Sequence, residues 1–141
     1  MSNALDISAE ERLRNGKTVL VPTIGDSMRP FIQGGRDKVL VRKQEEIRIG
    51  DIVMVPYCGM VISHRVYAIK GTKLILMGDG KLEGTEVVDK SEVWGTIVDI
   101  IKPNGRHRKP SKAWLWRKLL PVRKYLLKIY RSYNKLINNN I

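Results

Sequence analysis

Between Lys17 and Ile101 the chain is a succession of short apolar runs, and their length constrains the fold more than any other feature. Segments 19–21, 39–41, 52–55, 61–69, 74–77 and 96–101 are rich in Val and Ile, which suit pleated, half-buried positions. Turn formers punctuate them: Gly50-Asp51, Tyr57-Cys58-Gly59 and Lys70-Gly71-Thr72-Lys73. Sequential short strands with short links argue for antiparallel pairing and leave no room for crossover helices. The expected fold is therefore mainly β: a compact domain over 17–101, with one helix before it and one after.

Residues 1–16 read as a leader helix. Ser8 and Glu11 have capping-box spacing, Gly16 is a stop signal, and Leu5, Ile7 and Leu13 would pack the helix on the body. Residues 102–111 are a polar linker with Pro103, Gly105 and Pro110, in which His107 reads as a solvated loop residue. Ser111 is placed as the N-cap of a helix over 112–137, which Pro121 should bend or break. Trp114, Leu115, Leu119, Val122, Leu126, Ile129, Tyr130, Tyr133 and Ile137 recur along it at helical spacing. Arg117, Lys118, Arg123, Lys124, Lys128, Arg131 and Lys135 fall on the opposite side.

Charge divides the chain in the same place. Lys and Arg number 26 against 14 acids, a net of +12. Up to Asp99 there are 14 of each sign; from Ile100 onward there are 12 bases and no acid. A basic amphipathic helix with Trp and Tyr on its apolar side suits an anionic membrane surface, or a docking site on protein. No window reaches the roughly 18 consecutive apolar residues of a membrane span, and the N-terminus lacks the basic start and apolar core of a secretory signal. The one cysteine, Cys58, excludes an internal disulfide, and its turn offers no neighbouring base that would activate a thiol.

Three motifs carry candidate chemistry. In Gly25-Asp26-Ser27-Met28-Arg29-Pro30 a serine sits in a bend between turn-forming residues, where its amide could help form an anion-binding corner. In Val61-Ile62-Ser63-His64-Arg65-Val66, strand alternation puts His64 on one face with Ile62 and Val66. Such a face suits either a core histidine or an imidazole kept neutral to accept a proton. Met77-Gly78-Asp79-Gly80 follows an apolar run and reads on its own as a hairpin turn.

Taken in order with 47–55 and Val93-Trp94-Gly95, these motifs resemble the signal peptidase I family over about residues 17–101. They look most like the branch that uses a Ser–His pair, as in archaeal and endoplasmic-reticulum enzymes. The resemblance implies a compact β catalytic domain shared with LexA-type S24/S26 serine peptidases, many of which use a Lys base where this chain has His64. It implies Ser27 as nucleophile, His64 as general base and Asp79 as its acidic partner. It also implies that Gly25, Met28 and Pro30 shape the oxyanion and substrate site, with the Ser27 amide as first oxyanion donor. The substrate implied is an extended peptide or precursor protein cut after small residues, with no metal or cofactor. The chain departs from the family pattern in three places. Asp37 is displaced by Gly34-Gly35-Arg36, Gly80 stands where Asn is frequent, and no N-terminal membrane-spanning stretch is present. Two other classes fit parts of the chain: an inactive peptidase fold that holds a peptide, and a nucleic-acid-binding protein. The second is disfavoured, because the bases lie on a helix with a large apolar face and no DNA-binding motif accompanies them.

Overall fold

The structure, a computed structural model, describes residues 4–81 and 84–139. Helix α1 (Ala4–Arg14) begins four residues before Ser8, so Ser8 lies inside it and caps nothing. Its other end is as expected. Gly16 takes φ +79°, and the amides of Gly16 and Lys17 return to the carbonyls of Leu13 and Arg12, each at 3.0 Å. This Schellman closure satisfies the last carbonyls of the helix. Ala9 and Leu13 bury α1 against the body; the side chains of Leu5 and Ile7 lie outside the described part.

The six expected strands are present: β1 (Val19–Pro22), β2 (Lys38–Arg42), β3 (Ile52–Tyr57), β4 (Met60–Lys70), β5 (Lys73–Met77) and β7 (Gly95–Ile101). Two more were not anticipated, β6 (Glu86–Asp89) and β8 (His107–Arg108). They form one antiparallel sheet in the order β1-β2-β7-β3-β4-β5-β6, with β8 paired to β7. The presumed linker therefore carries a strand, and His107 is a strand residue whose ring bonds to Asp99. The β3–β4 hairpin turns on Cys58 and Gly59, both at positive φ (50° and 79°), the two-residue geometry that matches strand twist.

Both faces of the sheet are covered, which explains why β3 reads as an unbroken apolar run. Ile52 and Met54 enter a core with Ala9, Leu13, Val39, Val41, Ile97, Ile100, Met28 and Ile32. Val53 and Val55 enter a second core with Val66, Leu74, Leu76 and Val88.

The single C-terminal helix expected from the sequence is two. Helix α2 (Trp114–Lys118) stops at Leu119, and α3 (Leu120–Asn139) follows with Pro121 in its first turn, where a missing amide removes no intrahelical bond. The residue that caps α2 is Ala113, at φ 51°, and not Ser111; the Ser111 carbonyl instead accepts from Arg65 at 2.6 Å. Arg123, expected on a solvated basic face, is 1% exposed.

Candidate active site

Successive residues of a strand point to opposite faces, so β4 sends His64 and Arg65 to opposite sides of the sheet. Both are buried, and each meets a buried carboxylate. His64 Nδ1 bonds to Glu86 at the start of β6. Arg65 forks onto Asp79, with Nε to Oδ1 at 2.9 Å and Nη2 to Oδ2 at 2.6 Å. Its remaining nitrogen, Nη1, reaches the carbonyls of Gly50 (2.8 Å) and Ser111 (2.6 Å), and its carbon lies 5.3 Å from the centre of the Phe31 ring. The register makes the fork possible. Arg65 pairs with Met77, so the chain leaving β5 passes beside it as Gly78-Asp79-Gly80.

That exit segment opens the β5–β6 hairpin connection, as its Asp-Gly pair suggested, with the Lys81 amide returning to the Gly78 carbonyl at 3.1 Å, and it does more than turn the chain. It lies flat on the bend that carries Ser27. The Gly80 amide donates to the Ser27 carbonyl at 2.8 Å, and the Asp79 amide meets the Met28 sulfur at 3.4 Å. The two glycines are there because the backbones touch. A Cβ on Gly80 would collide with the Asp26 carbonyl oxygen. A Cβ on Gly78 would collide with the Ser27 carbonyl oxygen and sit 3.2 Å from His64 Nε2. The Ser27 main chain and the outer nitrogen of His64 therefore converge on one point beside Gly78. Ser27 is half-buried, and neither its hydroxyl nor His64 Nε2 has a hydrogen-bond partner among the described residues.

Burial holds the His64 pKa below its ordinary 6.5, more strongly than the neighbouring Glu86 carboxylate lifts it. The Lys81 charge pushes in the same direction as burial, and Asp79 weakly in the other. The imidazole is therefore neutral around pH 7. With Nδ1–H donated to Glu86, the Nε2 lone pair faces the Ser27 bend. This is the arrangement a general base needs: a proton fixed on the inner nitrogen, and an acceptor outside.

The C-terminal helices reach the same loop. Trp116 Nε1 donates to the Asp79 carbonyl at 3.0 Å, Arg123 Nη2 to Gly78 at 3.3 Å and Arg131 Nη2 to Gly80 at 2.7 Å. Arg123 also bonds to the Tyr67 hydroxyl and lies over the Trp116 ring. Three consecutive carbonyls are thus held by side chains of α2 and α3. Between α3 and the bend is a cavity of about 380 Å³, lined among others by Asp26, Arg29, Leu127, Tyr130, Arg131 and Asn134.

Ser27, His64 and Asp79 thus lie in one region, but Asp79 faces Arg65, and the acid on His64 is Glu86. Met28, expected to shape a substrate subsite, is 6% exposed, and its sulfur faces the Asp79 amide, so it braces the loop from inside. Gly25 (φ +78°) is an exposed corner of the bend, and Pro30 follows a cis peptide bond. Two contributors were missed. The signal for Glu86 was weak: alternation over the four residues Glu86-Val87-Val88-Asp89 puts Glu86 on one face with Val88, and only the structure, with Val87 58% exposed and Val88 buried, shows that this face is the inner one. Arg123 gave no comparable signal among so many bases.

The architecture is that of a β domain with a serine bend docked on its central strands. The Peptidase S24-like family profile matches residues 2–98, and the chain belongs to that family. A search of curated proteins finds no significant match.

Proposed function

We propose that this chain is a serine endopeptidase working through a Ser27–His64 dyad, similar to the Ser–His branch of the signal peptidase I family. The observation that supports it most is the convergence at Gly78 of the Ser27 main chain and His64 Nε2, which has no hydrogen-bond partner among the described residues, with Nδ1 occupied by Glu86. In the proposed reaction Nε2 takes the Ser27 hydroxyl proton as Oγ attacks the scissile carbonyl. Glu86 keeps the imidazole in the required tautomer and stabilises the imidazolium that forms. The Ser27 amide is the candidate oxyanion donor. A donor of this kind contributes about 10²–10³ in rate. The imidazolium then gives its proton to the leaving amine, and water repeats the sequence on the acyl-enzyme. The substrate reading, an extended peptide cut after a small residue, rests on the family resemblance of the motifs.

The test is cleavage of an extended peptide with small residues before the scissile bond, followed by pH. Activity is expected at neutral pH and should vanish in Ser27→Ala and His64→Ala. Activity unchanged in Ser27→Ala would overturn the dyad. A folded chain that binds such peptides but cuts none would favour the peptide-holding alternative.

A further inference from the structure

Helix α3 carries three parallel stripes, each one residue on from the last, and each meets different surroundings. Arg123 and Leu127 are 1% exposed and, with half-buried Tyr130 and Asn134, form the stripe that docks on the β domain. Lys124, Lys128, Arg131 and Lys135 form a basic stripe on one side of it. Val122, Leu126, Ile129, Tyr133 and Leu136 form the stripe on the other side, and all five are exposed, Ile129 at 67% and Leu126 at 39%. Exposed Leu120 and, in α2, Trp114 and Leu115 extend the apolar surface. Lysines sit on two of the exposed rings: Lys118 lies 4.2 Å from the Trp114 centroid and Lys124 5.3 Å from that of Tyr125. An apolar surface of this length is unusual on a monomer and marks an interaction site.

Charge decides the occupant. A second copy would bring the same segment, with 12 bases and no acid from Ile100 onward, against itself. The partner must accept apolar side chains on one side of the helix and attract cations around it. No described helix is long and apolar enough to cross a membrane. We infer that α2 and α3 seat the protein flat on an anionic lipid surface. The 122–126–129–133–136 stripe enters the headgroup boundary, and the long side chains of Lys124, Lys128 and Lys135 reach toward the lipid charge, while the Arg131 guanidinium stays on Gly80. The docking stripe stays on the β domain throughout. Trp116, Arg123 and Arg131 then hold the 78–80 loop, and with it the Ser27 bend, about one helix diameter (~10 Å) from the bilayer. Lipid binding itself needs nothing from Ser27, so Ser27→Ala should bind vesicles like the unmutated chain whatever becomes of the peptidase reading.

The test is co-sedimentation of the full chain with phosphatidylcholine vesicles, with and without phosphatidylglycerol. Partitioning should be at least about tenfold stronger on the anionic vesicles and should fall steeply between about 0.05 and 0.5 M salt. The triple variant Leu126→Glu/Ile129→Glu/Tyr133→Glu, altered only at exposed positions, should lose at least about tenfold. Lys124→Gln/Lys128→Gln should lose roughly fivefold per base removed. Equal partitioning on the two vesicle types would overturn the inference, and that comparison uses the unmutated chain, so it holds whether or not a variant folds. A triple variant that folds and binds as well as the unmutated chain would also overturn it. So would a concentration-dependent dimer of the unmutated chain, seen in sedimentation and abolished by the triple variant, because a second copy would then be the occupant.

Discussion

The two faces of β4 at positions 64 and 65 hold the same chemical ingredients and use them differently. On each face a buried nitrogen base meets a buried carboxylate. On the Arg65 face every guanidinium nitrogen is engaged: two on Asp79, the third on two carbonyls. On the His64 face one nitrogen is engaged by Glu86 and the other is left toward Ser27. Arginine cannot give up its proton in a protein, so a fully satisfied arginine is a clamp. Histidine changes charge near neutrality, so a half-satisfied histidine can transfer a proton. The comparison teaches that burial and ion pairing alone do not mark a reactive group; the unfilled valence does.

The largest effect expected from breaking this contrast is on the clamp. Asp79→Ala leaves Arg65 charged and buried without its carboxylate, and removing one partner of a buried pair typically costs about 3–5 kcal/mol. Chemical denaturation should show a loss of that size, and peptidase activity should fall with the folded fraction as the 78–80 loop loosens. A loss below about 1 kcal/mol would show that Arg65 has found other acceptors and is not the clamp described.

Glu86→Gln should separate the two faces in the opposite sense. Glutamine still accepts the Nδ1 proton, and it removes a buried charge, so stability should change by less than about 1 kcal/mol. Activity should fall about 10²–10³, because the carboxylate no longer stabilises the imidazolium. The pH profile should move as well. In the unmutated chain the folded His64 pKa lies below 6.5, so its contribution to stability is complete above about 6.5. That contribution is lost as pH falls toward the folded value, since the unfolded chain binds the proton first. The acid limb of kcat/KM should likewise lie below 6.5. Glu86 raises the His64 pKa against burial, so its neutralisation should move that limb further down. An upward shift would show that Glu86 is not what His64 senses.

Most of the sheet was legible because its strands are short, β-branched and separated by turn residues with known preferences. The convergence at the site was legible in part. The three motifs marked Ser27, His64 and the Asp79 loop, but alternation along a strand cannot say which carboxylate lies across two strands. Asp79 drew attention through its glycines, and those glycines answer to backbone contact: Gly78 and Gly80 make room for the carbonyls of Ser27 and Asp26. Strand β6 was missed because four residues carry too little pattern, and with it went the inward position of Glu86. In the tail the period of the apolar stripe was readable. Which side docks was not, since nothing local separates Arg123, which is buried on Tyr67 and Trp116, from Lys124 beside it.

The smallest expected effect is the most discriminating about the base. Lys81 follows the 78–80 loop, its stem packs beside Gly78, and its charge lowers the His64 pKa after burial has done so. The resemblance to LexA-type peptidases raises a Lys base as the alternative, and the Lys81 stem lies beside Gly78, where the Ser27 main chain and His64 Nε2 meet. If His64 is the base, Lys81→Met removes only a repelling charge. The His64 pKa then rises, the acid limb of kcat/KM moves to higher pH, and the plateau stays within about threefold of the unmutated rate. If Lys81 is the base, the same substitution removes the proton acceptor, and the plateau collapses by the 10²–10⁴ typical of a lost general base. His64→Ala gives the converse pattern in the two cases. A pH–rate profile of the unmutated chain, Lys81→Met and His64→Ala therefore assigns the base by the height of the plateau and checks the electrostatics by the direction in which its edge moves.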